Sequence, residues 1–298
     1  MKHKNIKKAL RNMFADGVCV HSFTDGTGRG VIAERDLAPH DEVVFVPRDR
    51  LITCSSAVAA HPDLAGHGEV ATLIRFLMKE ERAGGASAWA SYMADLPLEF
   101  GCLPIFIGAR PEHFTYILPP DIVEALRSQR SAAESLYEGI AKECDDLSWK
   151  QFIRWWAVVN TRCVSMHSRK GRDTMALAPT LDMFNHSCTT ESDAHYDEAR
   201  QGYIVRVGGV VKSGEQVFIS YGPHSNAKLL MEYGFVLAGN PHSTVVVESL
   251  PRSTEQSTTC PKGHKLQIQH GMLKRHRSQT IARINSMTAL SRCFDTWR

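Results

Sequence analysis

Three polar side chains follow an apolar run within residues 176–188, whose sequence is ALAPTLDMFNHSC. Asp182 ends the run, and Asn185 and His186 stand side by side shortly after it. Buried polar groups need hydrogen-bonding partners, so this spacing predicts a polar network or a site for a polar ligand. Each residue alone has a simpler interpretation, because Asn185 can hold a turn and a lone His186 can be structural.

A tyrosine stands at the end of a predicted strand in residues 215–222, EQVFISYG. The Gly222-Pro223 pair that follows predicts that the strand stops there. Tyr221 would then place its hydroxyl where the sheet opens to solvent. The alternative is a core tyrosine whose hydroxyl happens to reach the rim.

Other motifs give weaker signals. Residues 24–37, TDGTGRGVIAERDL, match neither a P-loop nor a dinucleotide fingerprint, so a turn is the simpler interpretation. The segment CPKGH at 260–264 has one cysteine where structural zinc sites use pairs, so no metal is expected. No Gly-x-Ser-x-Gly elbow is present, and a cysteine nucleophile at Cys163 or Cys188 stays an open alternative.

The elements that must position these residues fall into four regions. Residues 17–55 predict short strands, residues 70–163 predict helices, and residues 176–249 predict strands again. Residues 250–298 begin as a polar, turn-rich stretch, and Ile281 to Phe294 then have helical spacing. The order does not alternate between strand and helix, so a doubly wound sheet is not predicted. An α+β fold with a β-rich body and a helical insertion is predicted.

Local signals set several boundaries inside these regions. Ser148 and Gln151 have the spacing of a capping box and predict a helix start. Gly208-Gly209 and Ser213-Gly214 predict two tight hairpin turns. A short helix is expected to begin after Ser225 and to end at Gly234, and a strand is expected around residues 243–249.

Bulk composition narrows the class of protein. The chain has 298 residues, of which 43% are hydrophobic, and its net charge is only +3. These values fit a packed core and argue against a dedicated nucleic-acid binder. Eight scattered cysteines without a secretory signal or a long apolar run predict free thiols and an intracellular protein, cytoplasmic or also nuclear, with no membrane contact.

Taken in order, three segments resemble those of a SET-domain methyltransferase. They are GRGVIAERDL at 28–37, LDMFNHSC at 181–188 and GEQVFISYG at 214–222. The helical stretch of about 90 residues between the first two is similar to that of the Rubisco large-subunit lysine methyltransferase group, whose SET domain is split by an insertion. The resemblance covers roughly residues 15–250, includes NTR at 160–162, and implies a β-rich SET fold with a pseudoknot.

The resemblance also implies roles for individual residues. Tyr221 would be the catalytic residue, Arg162 would face the carboxylate of S-adenosyl-L-methionine, and Asp182 would orient the segment that precedes Asn185. The residues implied to bind this cofactor are Arg29, Gly30, Arg162, Asp182, Asn185, His186, Tyr221 and Phe235. The residues implied to line a substrate channel are Phe184, Tyr233 and Phe235. Gly28 and Val31 would lie on the other side of the cofactor.

Substrate and domain expectations follow from the same resemblance. The protein would act as a monomer on a protein substrate, with a lysine of a non-histone protein favoured. Histidine-directed relatives carry Asn and Trp at the places held here by Val164 and Leu181, which weakens the histidine alternative. A SET-like scaffold without catalysis is the other alternative. The expected parts are the SET halves at 1–60 and 151–249, the insertion at 61–150, and a short C-terminal segment at 250–298 that could be a reduced substrate-binding region.

Overall fold

The computed structural model describes residues 13–24, 28–106, 118–144, 146–166, 173–247 and 266–269. The chain forms two compact units. The first contains Met1–Gly101 and Arg127–Tyr221, and the second contains Cys102–Leu126 and Gly222–Arg298. The segment CPKGH at 260–264 and the helical pattern near the end of the chain lie outside the described residues. None of the described helices is both long and apolar enough to cross a membrane.

The described residues of the first unit form three small sheets. The site-bearing sheet has the order β1-β2-β10-β7, and its strands are β1 Val18–Ser22, β2 Arg29–Ala33, β7 Asn185–His186 and β10 Gln216–Ile219. The second sheet has the order β3-β9-β8, and its strands are β3 Glu42–Pro47, β8 Ser192–Asp197 and β9 Gly202–Val207. The third has the order β4-β6-β5, with β4 Ile52–Thr53, β5 Cys163–Ser165 and β6 Met175–Leu177.

Pairing in the site-bearing sheet is mixed. Strand β10 is antiparallel to β2 and parallel to β7, although the β8–β9 hairpin that separates β7 from β10 in sequence belongs to another sheet. The chain thus leaves the site-bearing sheet after β7, forms the β8–β9 hairpin in the second sheet, and returns to the first sheet as β10. A threaded chain needs an excursion of this kind. Apolar side chains of these strands form one core cluster, in which Val31, Val217 and Ile219 are at most 5% exposed.

Helices fill the region between the first strands and β5, as the sequence predicts. In chain order they are α1 Cys54–Ala60, α2 Glu69–Ala83, α3 Ala90–Met93, α4 Pro120–Ala141 and α5 Trp149–Arg162. Helices α2 and α5 are in contact with each other. Phe76 of α2 and Trp155 of α5 are at most 2% exposed, so their large apolar surfaces are removed from water and stabilise the helical region. The start of α5 has the predicted capping box, since Ser148 Oγ accepts from the Gln151 N–H and Gln151 Oε1 accepts from the Ser148 N–H.

This cap gives a test of the helix boundary. We expect Ser148→Ala to lower the free energy of unfolding by about 1 kcal/mol, because the first turn of α5 loses an acceptor for a backbone N–H. Chemical denaturation measures the change. Ser128→Ala is the matched control, because Ser128 is exposed inside α4 and alanine is a better helix former there. A Ser148→Ala protein as stable as the control would show that the cap contributes nothing.

The second unit contains α6 Asn226–Tyr233 and the antiparallel pair β11 Thr244–Val247 and β12 Leu266–Gln269. Ser225 caps α6, and Gly234 ends it with a φ of 81°, as predicted. A side chain at Gly234 would also meet the backbone of Cys102 at 3.0 Å. Glycine therefore suits this position for two reasons, its left-handed conformation and the close backbone.

The hairpin predicted at Gly208-Gly209 is wrong. Strand β9 pairs with β3 and β8, whereas β10 pairs with β2 and β7, so the two glycines do not join paired strands. A Cβ at Gly208 would overlap the backbone carbonyl of Glu191, so close approach explains this glycine. At Ser213-Gly214 a turn is present before β10, where the Glu215 N–H donates to Lys212 O, but it is not a hairpin either, because β10 pairs with β2 and β7.

Candidate active site

The parallel pair of β7 and β10 brings together the two strongest motifs of the sequence. Asn185 is the register partner of Phe218, and His186 is the partner of Ile219. The Ser187 N–H donates to Ile219 O at 3.0 Å and extends this pairing by one residue. Tyr221 follows the end of β10 and therefore lies beside His186.

Tyr221 is held through its hydroxyl, its backbone and its ring. Its hydroxyl donates to the Phe184 carbonyl oxygen at 2.7 Å, and its backbone N–H donates to His186 Nδ1 at 3.1 Å. The two rings stack with centroids 5.0 Å apart and an interplanar angle of 21°. His186 Nδ1 also lies 3.4 Å from the Ile219 carbonyl oxygen, so the ring is held between strand β10 and the Tyr221 backbone. The side chain of His186 thus positions Tyr221.

Asn185 connects β7 to the neighbouring strands. Its Nδ2 donates to the Arg29 carbonyl oxygen at 3.1 Å and to Gln216 Oε1 at 2.7 Å. A Cβ at Gly30 would lie 2.7 Å from Asn185 Nδ2, so only glycine leaves room for the amide. Asn185 Oδ1 makes no hydrogen bond to any residue that the structure describes. This oxygen is therefore an acceptor that a ligand could use.

Asp182 and Arg162 form a buried ion pair beside these residues. Arg162 Nη1 donates to the Asp182 carbonyl oxygen at 2.8 Å and lies 3.4 Å from Oδ2 of the same residue. The Asp182 side chain is 1% exposed, and the Tyr92 hydroxyl also donates to Oδ2, at 2.9 Å. Burial raises the pKa of the Asp182 carboxyl, while Arg162 and the Tyr92 hydrogen bond oppose that rise.

Arg29 directs its side chain toward the helical insertion. Its Nη2 donates to the Asp95 carbonyl oxygen at 2.5 Å, and Nη1 lies 4.0 Å from Asp95 Oδ1. The backbone carbonyl of Arg29 faces Asn185, as described above. The side chain of Arg29 thus links β2 to the segment after α3, and its contact with the cofactor stays a prediction.

The three aromatic residues expected to line a channel lie in different units. Phe184 belongs to the first unit, where its ring is 1% exposed and lies 6.1 Å from the ring of Phe14. Its ring is part of the core, and it presents its carbonyl oxygen to Tyr221. Tyr233 and Phe235 belong to the second unit, with ring centroids 6.2 Å apart, and Tyr233 also stacks on His224. Burial raises the pKa of Tyr233.

Sequence reasoning missed Tyr92, Asp95 and Gln216, which hold Asp182, Arg29 and Asn185 respectively. Gln216 is the first residue of its strand, and a polar residue at that place is a weak indication of a functional contact. Tyr92 lies in a helix of four residues, which is too short to show a periodic pattern.

Comparison with known proteins identifies the family. The SET domain model matches residues 28–222. SET domain-containing protein 4 of Mus musculus is 31% identical over 79% of this chain and 58% of its own length. Ribosomal lysine N-methyltransferase set11 of Schizosaccharomyces pombe is 26% identical, over 82% of this chain and 65% of its own length. An actin-histidine N-methyltransferase of Danio rerio is 27% identical, over 78% and 41% respectively.

A solved structure agrees in fold. The crystal structure of the SET domain of LSMT bound to lysine and AdoHcy superposes with a TM-score of 0.70, at 21% identity, over 83% of this chain and 60% of that one. The chain spans less than two thirds of the length of each of these relatives. The α+β fold is confirmed as a SET fold, and the chain belongs to the SET-domain family.

Proposed function

We propose that the chain is an S-adenosyl-L-methionine-dependent protein N-methyltransferase that modifies a lysine of a non-histone protein. The observation that most supports this proposal is the arrangement around Tyr221, whose hydroxyl donates to Phe184 O while its ring stacks on His186. Family membership and the ribosomal lysine relative support the same reaction class.

The residues at the site fit the cofactor by their chemistry. Asn185 Oδ1 is an acceptor suited to an ammonium group, and the guanidinium of Arg162 is a donor suited to a carboxylate. The buried Nε of Arg162 has no hydrogen-bond partner among the described residues, so this donor is unsatisfied in the protein alone. When bound, S-adenosylmethionine supplies an electrophilic methyl group on a sulfonium.

The chain's own residues would then contribute alignment and electrostatics. The Tyr221 hydroxyl donates its hydrogen bond to Phe184 O, so the lone pairs of its oxygen are available to groups in the site. His186 fixes the ring and the backbone of Tyr221, and alignment of this kind accounts for a large share of rate enhancement in group transfer. No proton transfer to Tyr221 is required.

A lysine nucleophile must lose its proton before it reacts. Its ordinary pKa near 10.4 places the neutral amine about 4 kcal/mol above the ammonium at pH 7.4. An apolar environment disfavours the charged form and reduces this cost.

Lysine is favoured over histidine by two apolar residues. Leu181 is 2% exposed in the turn before Asn185, and Val164 is half-buried in β5 against the core. Neither offers a polar group that could bind an imidazole nitrogen. The ribosomal lysine relative is 26% identical and the actin-histidine relative 27% identical, so identity does not distinguish the two nucleophiles. The apolar side chains of Leu181 and Val164 are therefore the support for lysine.

Radiolabelled methyl transfer tests the proposal. The purified chain is incubated with labelled S-adenosylmethionine and either a cell extract depleted of endogenous cofactor or purified histones. Labelled proteins are hydrolysed to amino acids. We expect methyl-lysine from extract proteins and little label in histones. Methyl-histidine would support the histidine alternative, and binding of the cofactor without transfer would support the scaffold alternative.

A further inference from the structure

The segment from Tyr92 to Asp95 contacts two separate parts of the candidate site. Tyr92 donates its hydroxyl to Asp182 Oδ2 at 2.9 Å, and the carbonyl oxygen of Asp95 accepts from Arg29 Nη2 at 2.5 Å. Tyr92 is 4% exposed and the Asp95 side chain is 2% exposed, so both contacts are shielded from water. The helical insertion therefore connects β2 with the turn that precedes β7.

The Asp182 carboxylate depends on few donors. Its Oδ2 has two hydrogen-bond donors, the Tyr92 hydroxyl and Arg162 Nη1, and its Oδ1 is buried without a hydrogen bond to any described residue. The hydroxyl makes the shorter contact, at 2.9 Å against 3.4 Å. Loss of the hydroxyl leaves a buried carboxylate whose remaining hydrogen-bond donor, among the described residues, is Arg162, and the guanidinium is expected to shift toward it.

The charges around Asp182 favour the same arrangement. Burial raises the pKa of Tyr92, and the neighbouring Asp182 raises it further, so the tyrosine keeps its proton and stays a donor. The other charged or titratable groups that interact with Asp182 are Arg162, Arg29 and Cys163. Burial raises the pKa of the Cys163 thiol, so this group stays neutral and adds no charge beside Asp182.

We propose that Tyr92 is a positioning residue for the methyl-donor site: its hydroxyl fixes Asp182, and Asp182 fixes the Arg162 guanidinium that would bind the cofactor carboxylate. This inference rests on the proposed function, because it concerns the same site. It assigns to the helical insertion a part in binding the methyl donor in addition to any part in binding a substrate.

The test compares two ligands that differ only in the carboxylate. S-adenosylhomocysteine and its decarboxylated analogue are titrated by calorimetry into the wild-type chain and into Tyr92→Phe. We expect the variant to bind S-adenosylhomocysteine about tenfold more weakly, which corresponds to about 1.4 kcal/mol. Its affinity for the decarboxylated analogue is expected to stay within about twofold. A merely structural role would weaken both ligands equally.

Two further variants sharpen the result. Tyr196→Phe is the matched control, because Tyr196 is also buried, at 8% exposure, and its hydroxyl donates to Gln201 Oε1. We expect it to leave both affinities unchanged. Asp182→Asn and the double variant with Tyr92→Phe complete a cycle, and their effects should be clearly less than additive if Tyr92 acts through Asp182.

The outcomes separate this inference from the proposed function. Unchanged binding by Tyr92→Phe, equal loss for both ligands, or additive effects in the cycle would overturn the role of Tyr92 while the wild-type chain still bound S-adenosylhomocysteine. Failure of the folded wild-type chain to bind S-adenosylhomocysteine would overturn the proposed function, and this inference with it.

Discussion

Tyr221→Phe is expected to lower the turnover of methyl transfer by about 10- to 1000-fold, the range typical of losing one positioned catalytic group. The substitution removes the hydroxyl that donates to Phe184 O at 2.7 Å and keeps the ring that stacks on His186. Affinity for S-adenosylhomocysteine should stay within about threefold, because the backbone contact of Tyr221 to His186 is retained. Single-turnover transfer of a labelled methyl group and calorimetry measure the two quantities.

Tyr137→Phe is the control for this prediction. The Tyr137 hydroxyl also donates to a backbone carbonyl oxygen, that of Leu147, at 2.9 Å, but it lies on α4 and its ring contacts Trp149 and Phe152 of the helical region. Both variants lose one comparable hydrogen bond, so their stabilities should fall by similar amounts, about 1 kcal/mol. Equal turnover of Tyr221→Phe and the control would remove Tyr221 from the mechanism.

Asn185→Ala is expected to weaken S-adenosylmethionine binding by about 10- to 100-fold, which corresponds to about 1.4–2.8 kcal/mol. The substitution removes Oδ1, the acceptor proposed for the cofactor ammonium, and also both bonds of Nδ2. The variant should therefore lose stability as well, by about 1–3 kcal/mol. Calorimetric titration and chemical denaturation separate these two losses.

Gln216→Ala provides the comparison for Asn185. It deletes Gln216 Oε1, the acceptor of the 2.7 Å hydrogen bond between the two side chains, and it keeps Asn185 Oδ1. Loosening of the sheet is then common to both variants, whereas loss of the acceptor is confined to Asn185→Ala. We expect Asn185→Ala to bind the cofactor at least about fivefold more weakly than Gln216→Ala. Equal affinities would contradict a direct contact by Asn185.

Local features of the fold could be predicted because their causes are local. The Ser148 cap of α5 and the Gly234 end of α6 each depend on residues within one helical turn. The strand that ends before Tyr221 depends on a short apolar pattern. A few neighbouring residues are sufficient to determine where each of these elements begins or ends.

Long-range features could not be predicted in the same way. His186 and Ile219 are 33 residues apart, and nothing in the periodicity of either segment indicates that they pair in parallel. Gly208 was assigned to a hairpin because glycine favours turns, whereas the crowding by Glu191 is visible only in three dimensions. The contact of Tyr92 with Asp182 depends on how the insertion packs. The ordered motifs of a known family supplied the pairing that physical patterns could not.

Strand β10 has a consequence for how the protein is made. Strand β2 ends at Ala33, but β10, which pairs with one of its edges, begins only at Gln216. At about 5–20 residues per second, the ribosome needs roughly 10 to 40 s to synthesise the chain between them. During that time β2 can pair with β1 alone, and its other edge is open to unwanted partners. Chaperone dependence during synthesis is therefore expected to be highest before β10 emerges, and the site assembles only then.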